Sequence, residues 1–138
     1  MEYVRVKEVI DQPIGVVWGM VSAFGAVKPW IEGVQSCALE GEGIGAIRSV
    51  MRGGSLTRER LVLLDPTTHR IGYALIPPYR LAATDVRATI ALTALDEGRT
   101  EIQWWSEASS FDGPQEQISA YIGAFYRSSI DNLRRLLG

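Results

Sequence analysis

Hydrophobic and polar positions along this chain follow two periods, and the changeover comes late. Over residues 114–137 apolar side chains recur every three or four positions, the mark of one long amphipathic helix. Upstream, short alternating segments separated by Gly, Pro and Asp turn signals mark antiparallel strands. Val4, Val6 and Val9-Ile10 begin the chain as a strand. Asp11-Gln12-Pro13 then opens a helix, with proline at an early position where its missing N–H costs nothing. Ile14, Val17, Trp18 and Val21 share that helix's apolar face, and residues 26–30 predict a second short helix. Strands are expected at 34–39, 46–51, 56–64, 71–76, 85–95 and 100–108. The order β-α-α-β-β-β-β-β-β-α predicts an α+β fold, with residues 1–138 forming a single domain. One long helix closed against one curved sheet leaves space that side chains do not fill, so a pocket is expected between them.

Alternation sorts the strands by face. Ile102, Trp104, Ser106 and Ala108 face inward, as do Val86, Ala88, Ile90 and Leu92, because their alternates carry the charges. The sharpest register comes from Gly53-Gly54, a pair suited to the positive φ angles of a two-residue turn. That turn sets Arg52 opposite Ser55, Val50 opposite Thr57 and Arg48 opposite Glu59. Arg58 and Arg60 share the other face and favour water. The inward set is then Thr57, Glu59, Leu61 and Leu63, with Arg48 paired to Glu59. The competing arrangement is a solvated ion pair on an edge hairpin. On the long helix the expected stripe is Ile118, Ile122, Phe125, Ser129, Leu133 and Leu136. Tyr121, Ser128 and Asn132 border it, either as pocket polar groups or at the solvent boundary.

Composition narrows the function. The 138 residues carry 14 Lys and Arg against 16 Asp and Glu, a net charge of −2 without a basic block. Nucleic acid is therefore not an expected partner. Nor is stable membrane insertion expected, since no apolar run reaches the length of a span. The single cysteine, Cys37, excludes an intramolecular disulfide and suits a reducing compartment, so a cytoplasmic location is expected. The first residues alternate as a strand does and do not resemble a signal peptide. One histidine and one cysteine cannot build a conventional metal site, and the 41–45 glycine run lacks the dinucleotide-binding frame. No metal or cofactor is expected, and His69 reads as a loop residue.

Ile10-Asp11-Gln12-Pro13 with Val17-Trp18, Phe24-Gly25 and Trp30 resembles the bacterial polyketide-cyclase/dehydrase-like branch of the START and birch-pollen-allergen superfamily (SRPBCC). Arg58-Glu59-Arg60-Leu61 with Leu64-Asp65, and Gly98-Arg99-Thr100 leading to Trp104, fit the same branch. The resemblance spans the chain in order. It implies a helix-grip fold: a seven-stranded antiparallel sheet wrapped around the long C-terminal helix, with two short helices between the first two strands. It also implies a cavity for a hydrophobic or amphipathic small molecule. More distantly, Glu59-Arg60-Leu61, Tyr79-Arg80-Leu81 and Asn132-Leu133 are similar to motifs of the plant abscisic-acid receptors. That likeness implies ligand contacts at Glu59, Val86, Ala88, Trp104, Ala124, Ser128 and Asn132. Gly53-Gly54 replaces the receptors' long gate loop, Tyr79 their latch histidine, and Trp104 a strand acid. Hormone signalling is therefore not implied.

Candidate catalytic groups are Glu59, Arg48 and Tyr73, with Glu8 a further possible polar group. Thr57, Leu61, Tyr79, Leu81, Tyr121 and Phe125 complete the expected ligand-binding set. An enclosed carboxylate can act as a general base or as a hydrogen-bond anchor. Two readings follow: a binding protein for a lipid, polyketide or aromatic compound, and a cyclase or dehydratase working by acid–base chemistry.

Overall fold

The computed structural model describes residues 1–78 and 81–138. Its elements are β1 (Glu2–Ile10), α1 (Ile14–Val21), β2 (Val34–Glu40), β3 (Ile47–Arg52), β4 (Ser55–Asp65), β5 (Arg70–Ile76), β6 (Ala83–Thr84), β7 (Arg87–Asp96), β8 (Arg99–Glu107), β9 (Ser110–Phe111) and α2 (Gln115–Leu137). Seven strands form one antiparallel sheet in the order β1-β8-β7-β5-β4-β3-β2. Its concave face takes α2, the helix-grip arrangement. β6 and β9 add a two-stranded ribbon that was not foreseen, because two residues carry no readable period.

The Gly-Gly turn fixes the β3–β4 register at Arg52–Ser55, Val50–Thr57 and Arg48–Glu59. Gly53 and Gly54 take φ of 54° and 76°, the left-handed values such a turn demands. Further along β4 the alternation slips. A bulge between Leu61 and Leu63 pairs Leu61 with Tyr73 but Leu63 with Gly72. Leu63 therefore leaves the inner face, and Leu64 packs on the core in its place.

Only one short helix precedes β2. Trp30 and Ile31 donate to the Val27 carbonyl, but this helical turn does not propagate. Pro29 within it and Gly33 after it oppose extension, and a lone turn carries the full nucleation cost.

Cross-strand pairs divide the inner face into a filled end and a hollow end. Ile90 lies beside Trp104 and Leu92 beside Ile102, large pairs that pack with Val6, Ile10, Ile130 and Leu133. One step along, Ala88 lies beside Ser106, and these small side chains leave room under the helix. α2 is turned by about 60° from the expected stripe, counting 100° per residue. Its buried residues are Gly123, Tyr126, Ser129, Ile130 and Leu133, while Leu136 is exposed. Polar side chains anchor its far end: Arg134 pairs with Glu8 at 2.9 Å, and Gln12 donates to the Leu137 carbonyl at 3.0 Å. Glu8 is thus a helix anchor and stands apart from the cavity.

Candidate functional site

A cavity of about 610 Å³ occupies the hollow end. This lies within the usual size range of small-molecule sites. Helix α2 contributes Ile118, Tyr121, Ile122, Phe125 and Tyr126, residues one turn apart along a single strip. The sheet contributes Thr57 and Glu59 from β4, Tyr73 and Leu75 from β5, Ala88 from β7 and Ser106 from β8. Val86, Leu81, Arg52 and Tyr3 also line it. A smaller void of about 50 Å³ adjoins it, sharing Thr57, Glu59, Tyr73, Arg52 and Phe125 and adding Arg48 and Trp104.

Arg48 is 4% exposed and donates from Nε to Glu59 at 2.7 Å. Its Nη1 donates to the Phe24 carbonyl at 3.1 Å. The guanidinium lies 4.2 Å from the centre of the Phe24 ring and 4.6 Å from that of Tyr73. A buried charge needs this kind of multiple compensation. Glu59 closes the pair and also lines the cavity.

Tyr126 forms the cavity floor by stacking on Trp104, with ring centres 4.0 Å apart and planes within 8°. Trp104 is fully enclosed, so it supports the wall and touches only the smaller void. Ser106 Oγ lies 2.8 Å from the Tyr3 hydroxyl and 3.1 Å from the Arg87 carbonyl. A carbonyl can only accept, so Ser106 donates to Arg87 and accepts from Tyr3.

Of the residues expected from sequence, Thr57, Glu59, Tyr73, Leu81, Val86, Ala88, Tyr121 and Phe125 line the main cavity. Tyr121 stands at its mouth, 62% exposed. Leu61 is buried in the core instead, and Tyr79 lies outside the described residues. The helix rotation turns Ala124 and Ser128 to the outside. Asn132 also leaves the cavity: its amide donates to the Trp30 carbonyl at 3.1 Å and to the Glu32 carboxylate at 2.6 Å. Ser129 accepts from the Glu32 N–H at 2.9 Å. Asn132 and Ser129 therefore dock the loop that leads into β2. Sequence reasoning missed Tyr3 and Tyr126, and it placed Ser106 and Arg52 on the inner strand faces without naming them as site residues. Tyr126 follows Phe125 directly, and either could have headed the stripe.

The family model for "Polyketide cyclase / dehydrase and lipid transport" matches residues 1–138. The chain belongs to this family. No curated protein matches it. Among solved structures, a Thermobifida fusca protein is 23% identical with a TM-score of 0.88, over 98% of this chain and 92% of that one. Norcoclaurine synthase from Thalictrum flavum, solved with dopamine and hydroxybenzaldehyde, is 16% identical with a TM-score of 0.77, over 97% and 84%. The Zhui aromatase/cyclase from Streptomyces sp. R1128 is 13% identical with a TM-score of 0.73, over 97% and 89%. These likenesses establish a shared fold.

In this polyketide cyclase/dehydrase-family chain the enclosed phenols of Tyr73, Tyr126 and Tyr3 hold their protons more tightly than usual. Burial pushes Tyr73 up, with the Glu59 charge adding to it, while the Arg48 charge acts the other way. Burial likewise raises Tyr126 well above its ordinary range, and Tyr3 less. Burial also raises the Cys37 thiol, which disfavours the nucleophilic thiolate. His69 is half-buried in the β4–β5 turn, edge-on to Trp18 and away from the cavity.

The raised phenols have a consequence for alkaline stability. The folded chain holds these protons more tightly than the unfolded chain, whose tyrosines ionise near 10.0. The resulting stability is fully present below about pH 10 and declines as pH rises past it. Urea unfolding followed from pH 8 to about pH 11 should show this decline, and Tyr73→Phe should flatten it. In parallel, the phenolate absorbance contributed by Tyr73 and Tyr126, isolated by comparison with their Phe variants, should appear together with unfolding.

Proposed function

We propose that residues 1–138 act as one cytoplasmic domain that binds a small amphipathic molecule with a ring or lipid-like body. The main support is the cavity itself, which combines apolar and aromatic walls with one oriented carboxylate. Tyr73 and Phe125 offer ring faces, Val86 and Ile122 aliphatic area, and Glu59 an acceptor for a ligand hydroxyl or N–H. A protonated Tyr73 can donate to a ligand carbonyl. The lone cysteine suits a reducing compartment. Among the described residues no helix is long and apolar enough to cross a membrane.

A second reading, a cyclase or dehydratase, draws support from Glu59, Arg48 and Tyr73 meeting where the two voids adjoin. Here Glu59 would accept a proton from an acidic C–H or hydroxyl, Tyr73 would donate to the developing oxyanion, and Arg48 would orient Glu59. The norcoclaurine synthase and Zhui aromatase/cyclase folds make this chemistry accessible on such a scaffold, though fold alone does not choose it.

Glu59→Gln separates the two readings. With a panel of polyketide-like phenols read by tryptophan fluorescence, binding alone predicts that donor-bearing ligands weaken about ten-fold. Ligands without a donor should be unaffected. Catalysis predicts that binding survives and turnover is lost. If no phenol in the panel binds the wild-type chain, both readings fail.

A further inference from the structure

The inner face of β3 carries two arginines, and only one has an acid partner. Arg48 is matched by Glu59. Arg52, four residues along on the same face, lies opposite Ser55 in β4 and Val34 in β2. Among the described residues it forms no ion pair. Its Nε donates to the Glu32 carbonyl at 3.0 Å, while Asn132 donates to one oxygen of the Glu32 carboxylate. Its guanidinium centre lies 3.8 Å from the centre of the Phe125 ring, and both side chains line the main cavity. The Nη groups have no hydrogen-bond partner among the described residues. The remaining charged side chain lining the main cavity, among those described, is Glu59, which Arg48 already offsets.

Arg52 is therefore a cation fixed in place by an aromatic stack and a carbonyl, with its outer nitrogens uncommitted. A guanidinium held this way loses little freedom when an anion arrives, and its fork matches a carboxylate, sulfonate or phosphate. Building on the ligand-binding reading, we infer that the cavity selects amphipathic monoanions, with the acidic group on Arg52 at the rim and the apolar body along Phe125 and Val86. Glu59, on the wall of the same cavity, then accepts from a donor on the ligand.

The test uses two dyes with the same ring system, anilinonaphthalene sulfonate and its uncharged analogue N-phenylnaphthylamine, titrated by fluorescence. The wild-type chain should bind the sulfonate about ten-fold or more tighter than the neutral dye. Arg52→Gln should bring that ratio close to one, with an unchanged far-UV circular dichroism spectrum showing the variant to be folded. Arg52→Lys should keep most of the preference. Equal affinity of the wild-type chain for both dyes, or a ratio unchanged in Arg52→Gln, overturns the anion assignment but leaves the cavity reading standing. If neither dye binds, the cavity reading fails and this inference fails with it.

Discussion

Replacing Arg48 with Met is expected to destabilise the chain by about 3–5 kcal/mol, toward the lower end because Glu59 faces a solvated cavity. The substitution leaves a carboxylate enclosed without its cation, abandons the Phe24 carbonyl and removes a cation packed between two rings. The double variant Arg48→Met with Glu59→Leu should recover most of the loss, since an apolar pair of similar volume needs no compensation. Urea unfolding of the wild type, both single variants and the double variant gives the coupling. A cost below about 1 kcal/mol for Arg48→Met would place the pair in the class of solvated ion pairs.

Trp104→Ala should be at least as damaging, at about 3–5 kcal/mol. Trp104 is 0% exposed, stacks on Tyr126 and touches Trp30 and Phe125. No neighbour can collapse into the space without abandoning the cavity floor. Ligand affinity should fall together with stability, because Tyr126 loses the surface that positions it. Trp105, one residue on but on the opposite face under Arg5, is the control. Trp105→Ala should cost under about 1 kcal/mol and leave binding intact.

The contrast between these neighbouring tryptophans was already readable in the sequence, since strict alternation from Glu101 to Ala108 separates charged from apolar positions. The Arg48–Glu59 pairing was readable too, because Gly53-Gly54 dictates a turn and the turn dictates the register. Elsewhere the pattern carried less information. Four apolar residues in a row, from Leu61 to Leu64, make alternation silent, so the bulge that turns Leu63 outward left no signal. On α2, Phe125-Tyr126 and Ser129-Ile130 offer two adjoining stripes of similar apolarity. The sheet chose between them, and its choice removed Ala124 and Ser128 from the cavity and brought in Tyr126. The turn sets Arg52 opposite Ser55, but a charge beside a glycine turn reads as surface and carries no sign of a ligand role. Its significance lies in what is absent across the ladder, which only tertiary placement of Glu32 and Phe125 reveals.

Amide chemical-shift mapping during titration with N-phenylnaphthylamine tests the central claim, a ligand-binding cavity between sheet and helix, most directly. Shifts should concentrate at Thr57, Tyr73, Ala88, Ile122, Phe125 and Tyr126, on both walls at once, and should saturate together. Shifts confined to the convex face around Trp105, or none at all, would contradict it.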